Sequence, residues 1–119
     1  MQPANIDLTV YKGATFSKGF QWKTGSSPVP VNLTGCTARM QIRKNVNDTT
    51  ILDSLTTENG KLIIEDAVNG KVRINIVPEV STTYTFTSGV YDLEIVFPTT
   101  GRIERIIEGC FSAVPEVTR

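Results

Sequence analysis

Ser88-Gly89-Val90-Tyr91-Asp92-Leu93-Glu94-Ile95-Val96-Phe97, a turn at Pro98 to Gly101, and Arg102 onward to about Val114 form the stretch that decides the fold. Tyr91, Leu93, Ile95 and Phe97 share one parity and alternate with Asp92 and Glu94, the period-two pattern of a strand with one face in a core. The Pro-Thr-Thr-Gly turn sends the chain back, so the segment reads as an antiparallel hairpin. With Phe97 facing Arg102, Glu94 falls opposite Arg105 as a cross-strand ion pair and Leu93 falls opposite Ile106. Gly109 is expected to mark a bulge or bend.

Upstream of the hairpin the same period recurs. Ile6, Leu8 and Val10 alternate with Asp7 and Thr9, and Phe16, Phe20 and Trp22 share a parity after the Lys12-Gly13 turn. Thr24 to Pro30 is a Gly/Ser/Pro loop, because its prolines have no N–H for a ladder. Ala38, Met40 and Ile42 alternate with Arg39, Gln41 and Arg43, and a short strand is expected around Ile51 to Leu55. Asn59-Gly60 and Asn69-Gly70 are turn signals bracketing Lys61 to Glu65 and Lys71 to Ile76, read as one meander. Pro78 to Thr87 breaks the alternation. It is expected to hold one helical turn crossing between sheets, with Tyr84 or Phe86 dropping into the core. The sum is a single all-β domain over residues 1–119: an antiparallel β-sandwich of seven or eight strands, with one short helical turn near 78–86.

Composition narrows the function. The 12 basic and 12 acidic residues cancel, whereas a nucleic-acid binder carries a basic excess to neutralise phosphates. No apolar run reaches the roughly 20 residues of a membrane helix, and Met1 to Asp7 does not read as a signal peptide. Synthesis in the cytoplasm is therefore expected, and there Cys36 and Cys110 favour free thiols, although a disulfide between them stays open. Two cysteines and no histidine do not make a usual zinc site, and no cofactor is expected.

No arrangement for chemistry stands out. Without histidine there is no Ser-His-Asp or Cys-His set. Glu65 and Asp66 are adjacent and would point to opposite faces of a strand. Asp92 and Glu94 share a face, as a glycosidase pair would, but read better as a solvated outer face. Arg39, Arg43, Lys44, Lys71 and Arg73 form a basic stripe only if their strands are neighbours. Gly25-Ser26-Ser27 lacks the residues of a phosphate loop. Phe16, Phe20 and Trp22 fit core filling better than a sugar-stacking platform, and a carbohydrate-binding module is the alternative of another class.

One feature departs from a simple two-layer plan. Val90 and Val96 place apolar residues on the second parity of the hairpin, and Ile103, Ile106 and Ile107 do not keep to one face. A strand apolar on both sides is covered on both sides. The second cover is expected from another chain, with Val96, Ile103 and Ile107 as partner-binding residues.

Asp7 to Phe16, Val31 to Arg43 with its Asn-Leu-Thr-Gly lead-in, Gly89 to Glu94, and the closing Pro115-Glu116-Val117-Thr118-Arg119 together resemble small immunoglobulin-like proteins of tailed-phage virions. They are similar to the N-terminal modules of phage upper-baseplate proteins. The resemblance implies an immunoglobulin-like sandwich and a non-enzymatic structural protein of the virion, made in the host cytoplasm. It would be a tail or baseplate adaptor that docks onto other virion proteins in multiple copies or as a homo-oligomer. A capsid decoration protein is the alternative within that class. The resemblance brings no catalytic residues.

Overall fold

The computed structural model describes residues 3–25 and 28–117. Met1, Gln2, Ser26, Ser27, Thr118 and Arg119, which entered the sequence reading, lie outside the described residues.

Among the described residues eleven strands and one helical turn follow in order: β1 Ala4–Asn5, β2 Leu8–Tyr11, β3 Phe16–Gln21, β4 Lys23–Thr24, β5 Val29–Pro30, β6 Thr37–Arg43, β7 Asp53–Thr56, β8 Leu62–Asp66, β9 Lys71–Ile76, α1 Pro78–Ser81, β10 Ser88–Val96 and β11 Ile103–Val114. Eight of the strands have four residues or more, in keeping with the expected seven or eight. The larger sheet has the order β1-β11-β10-β6-β7, with β2 also on β11, and the smaller has the order β3-β9-β8. Strands β4 and β5 form a separate small hairpin inside the predicted loop.

The inner faces meet in one core. Met40, Ile42, Leu55, Leu93, Ile95 and Phe111 from the larger sheet pack with Leu62, Val72, Ile74 and Ile76 from the smaller. Each of these contributes the inward parity of its strand, so period-two patterning and burial agree. The expected helical turn is α1, carrying the chain from β9 in one sheet to β10 in the other. Tyr84 follows it into the core and stacks at 4.8 Å on Phe86.

The pairings add one feature to the sequence reading and depart from it at two. First, Lys61 to Glu65 and Lys71 to Ile76 pair as the expected meander, β8 with β9 in the smaller sheet, whereas the preceding β7 pairs with β6 in the larger. Asn59 holds this crossover. Its Oδ1 accepts from the N–H groups of Thr56 and Lys61 (both 3.0 Å), and its Nδ2 donates to the Ser54 carbonyl (2.9 Å).

Second, the N-terminal strand is parallel to the last one. Ala4 pairs with Ile107, Asn5 with Glu108, and Leu8 to Tyr11 with Phe111 to Val114, a constant offset on either side of a short break. At the break, Asp7 Oδ1 accepts the Cys110 N–H at 3.0 Å in place of a backbone carbonyl.

Third, the bulge of the last hairpin lies at Ile106 rather than Gly109. Glu94 faces Arg105, yet Leu93 faces Ile107, so Ile106 is the extra residue. Ile106 and Ile107 therefore both reach the core although they are adjacent. Gly109 has a different purpose. A Cβ there would collide with the Ile6 carbonyl, the same oxygen that accepts the Tyr91 hydroxyl from across the strand pair.

Candidate docking surface

The residues of the predicted partner-binding set sit on the larger sheet, and the bulge separates them. Val96 and Ile103 are Cα partners on its outer face. Val96 is half-buried and Ile103 is 47% exposed. Ile107 is turned inward and buried, so it offers no surface to a partner.

The outer face is built from the outward parity of β6, β10 and β11, and its rows follow from the register. Thr37, Val96 and Ile103 make an apolar end row. Arg39, Glu94 and Arg105 make the next, Gln41, Asp92 and Glu108 a third, and Arg43, Val90 and Cys110 the last. The middle of the face is thus ionic. Arg39 Nε lies 2.9 Å from Glu94, and Arg105 lies 3.3 Å from Asp92 and 3.4 Å from Glu108. Glu94 and Arg105 are neighbours as expected, but each takes its ion partner elsewhere. The two-sided burial inferred for the hairpin is corrected accordingly: the bulge turns Ile106 and Ile107 inward, and Val90, Val96, Ile103 and Val114 remain as apolar residues facing out.

At the apolar end the Arg102 guanidinium lies 4.3 Å above the Phe97 ring and 3.5 Å from Glu104. Both Arg102 and Glu104 lie on the inward parity, since Glu104 pairs with the buried Ile95, so on the outer face the apolar row is bordered by the ionic row of Arg39, Glu94 and Arg105. At the opposite end a shallow hollow of about 340 Å³ is lined by Arg43, Val46, Val90, Asp92, Arg105 and Glu108. Burial pushes the Asp92 carboxyl above its usual range, against the pull of Arg105. Asp92 and Glu94 are engaged in ion pairs on this face, which fits their reading as an outer-face pair.

Other candidate groups are dispersed. Arg39 and Arg43 stand on β6, whereas Lys71 and Arg73 stand on β9 in the other sheet, so no basic stripe forms. Arg73 is paired with Glu65 at 2.7 Å, and that hydrogen bond holds the Glu65 carboxyl below its usual range. Trp22 is buried and 6.1 Å from Phe97, while Phe16 and Phe20 are half-buried. The three aromatic rings therefore present no open platform for a sugar. Cys36 is buried, Cys110 is exposed, and both are free thiols. Among the described residues, no group of three or more His, Cys, Asp or Glu side chains is placed to hold a metal ion. No helix among them is long and apolar enough to cross a membrane.

One cluster was not legible beforehand. Asp53 on β7 accepts from the Tyr84 hydroxyl at 2.6 Å and from Lys61 Nζ at 3.0 Å. It ties the segment after α1 to both sheets. The available signal was Tyr84 itself, since a tyrosine that enters a core brings a hydroxyl needing a partner.

The chain is therefore a two-sheet β-sandwich whose larger sheet carries a mixed ionic and apolar outer face. No family model and no curated protein matches its sequence. Among solved structures it is similar to the N-terminal domain of phage TP901-1 ORF48, with a TM-score of 0.50 and 12% identity over 97% of this chain and 90% of that one. At that identity the likeness is one of fold.

Proposed function

We propose that this protein is a non-enzymatic structural component of a tailed-phage virion, docking onto other virion proteins at the tail or baseplate. The observation that carries the reading is the fold likeness to a phage protein domain along nearly the whole chain. The order of short motifs resembling immunoglobulin-like baseplate modules supports it from the sequence side. The absence of histidine from the sequence favours docking over catalysis. The contact would be made by the Val96–Ile103 row, with Arg39, Glu94 and Arg105 as its polar rim. Such a small apolar centre suits a part held in several copies by particle symmetry, where weak contacts add.

Gold-labelling of the tagged protein on purified particles tests the location. Label at the tail or baseplate is the expected result. Label over the head would transfer the protein to capsid decoration, and unlabelled intact particles would overturn the virion reading. Ile103→Asp tests the face. Ile103 is half-exposed, so the variant should fold, and its incorporation into particles should be lost. Incorporation at the wild-type level would show that another surface docks.

A further inference from the structure

We infer that the free edge of β1 and β2 pairs with the same edge of a second copy, joining two six-stranded sheets into one. The argument rests on how differently the four strand edges of the sandwich are finished.

The β7 edge is closed by its own side chains. Asn59 takes up the Ser54 carbonyl and the Thr56 N–H, and Asp53 Oδ1 accepts the Ser54 N–H at 2.8 Å. The β3 edge carries Lys18 on the inward parity between Phe16 and Phe20, with its Nζ 5.8 Å from the Phe20 ring. An inward-facing charge opposes the addition of another strand. The β8 edge is broken by a register shift between Ile64 and Asp66, which twists an edge away from pairing.

The edge formed by residues 4–11 has none of these devices. It keeps one register against β11 throughout, pairs with β11 alone, and contains no proline, lysine or arginine. Its one charge, Asp7, is turned back onto the Cys110 N–H. The Ile6 and Lys12 N–H groups donate to β11 at the Glu108 and Val114 carbonyls, both at 2.9 Å. Even-numbered residues thus bond inward along the sheet, so the N–H groups of Asn5, Asp7, Thr9 and Tyr11 point away from it.

A second copy fits this edge in one antiparallel, two-fold register. With Leu8 opposite Leu8, the bonded pairs become Asp7 with Thr9, and Asn5 with Tyr11 through the Tyr11 N–H, since the Tyr11 carbonyl already accepts the Ala14 N–H at 3.0 Å. Leu8, Val10 and Ile6 then continue the apolar inner face across the junction. A slip of one residue would send those side chains to the wrong face. A slip of two in one direction would set Asp7 against Asp7, and in the other would leave Asn5 unpaired. Only the chosen register both keeps Asp7 away from its own copy and gives Asn5 a partner on the edge.

Sedimentation equilibrium on the full chain tests this pairing. A reversible dimer is expected, and a monomer at every concentration reached would overturn the inference. Thr9→Asp places a carboxylate opposite Asp7 twice per dimer and should weaken association about tenfold at low salt. Thr9→Lys in the same place should leave it intact or tighten it. Thr9→Pro removes an outward N–H that makes no bond to β11, and should give a folded monomer. Should that variant fail to fold, the opposed response of the Asp and Lys variants decides, and a dimer indifferent to both would overturn the register. The pairing is independent of virion docking: Ile103→Asp should still dimerise, and a monomeric wild type would leave the docking proposal standing.

Discussion

Tyr84 and Tyr91 anchor opposite parts of the sandwich through their hydroxyls, one on Asp53 and the other on the Ile6 carbonyl. Both phenols are pushed well above the ordinary tyrosine range. Burial is the main cause in each, joined for Tyr84 by the hydrogen bond to Asp53 and for Tyr91 by the charge of Asp7. The unfolded chain ionises its tyrosines near pH 10, about the usual value, while the folded chain holds these two protonated. Their contribution to stability is therefore complete below about pH 10 and falls as pH rises further. Denaturant unfolding should show a steep alkaline loss of stability, shallower in Tyr84→Phe and in Tyr91→Phe. A wild-type profile flat through that range would contradict the assignment. These two residues were legible to different degrees. Tyr84 or Phe86 was expected in the core because the pair follows a break in the alternation. The Ile6 carbonyl that Tyr91 reaches lies far away in sequence, and no local pattern points to it.

Elements were most legible where their partners are local. The hairpin β10–β11 has its turn and its first pairs where the alternation puts them, and β9 matches the predicted Lys71 to Ile76 run. The bulge at Ile106 was hidden because two adjacent isoleucines read equally well as a strand with two apolar faces. The crossover from β7 to β8 was hidden because an Asn-Gly pair signals a turn without saying which sheet the chain enters next. Asn59 makes that turn specific through hydrogen bonds to Ser54, Thr56 and Lys61. Asn59→Ala should cost about 1–2 kcal/mol in denaturant unfolding. It should also free the β7 edge for intermolecular pairing, seen as aggregation that rises with protein concentration. A variant as stable and as soluble as the parent would show that the turn and edge depend on backbone geometry alone.

The molecule as a whole is held by its inter-sheet core, with both thiols free and far from equivalent. Burial pushes the Cys36 thiol up, against the opposing charge of Arg102, whereas Cys110 is exposed on the outer face. A thiol reagent should modify one cysteine in the native protein and the second only on unfolding. The melting temperature should be unchanged by reductant, and a drop on reduction would contradict free thiols. The docking row was only partly legible for a reason that also belongs to this scale. Apolar residues on both parities announce extra burial, but they do not say whether another chain or a bulge supplies it. The fold answers with the bulge for Ile106 and Ile107, and leaves Val96 and Ile103 facing out. The parallel pairing of β1 and β2 with β11 has its own consequence for synthesis. A chain growing on a ribosome makes its first strand long before the last one, so Leu8 and Val10 wait without their neighbours until residues 103–114 have emerged. The final strand acts as a latch: it gives β10, β1 and β2 their shared neighbour in one step, and a nascent chain stopped short of it exposes the apolar side of its opening strand to chaperones and proteases.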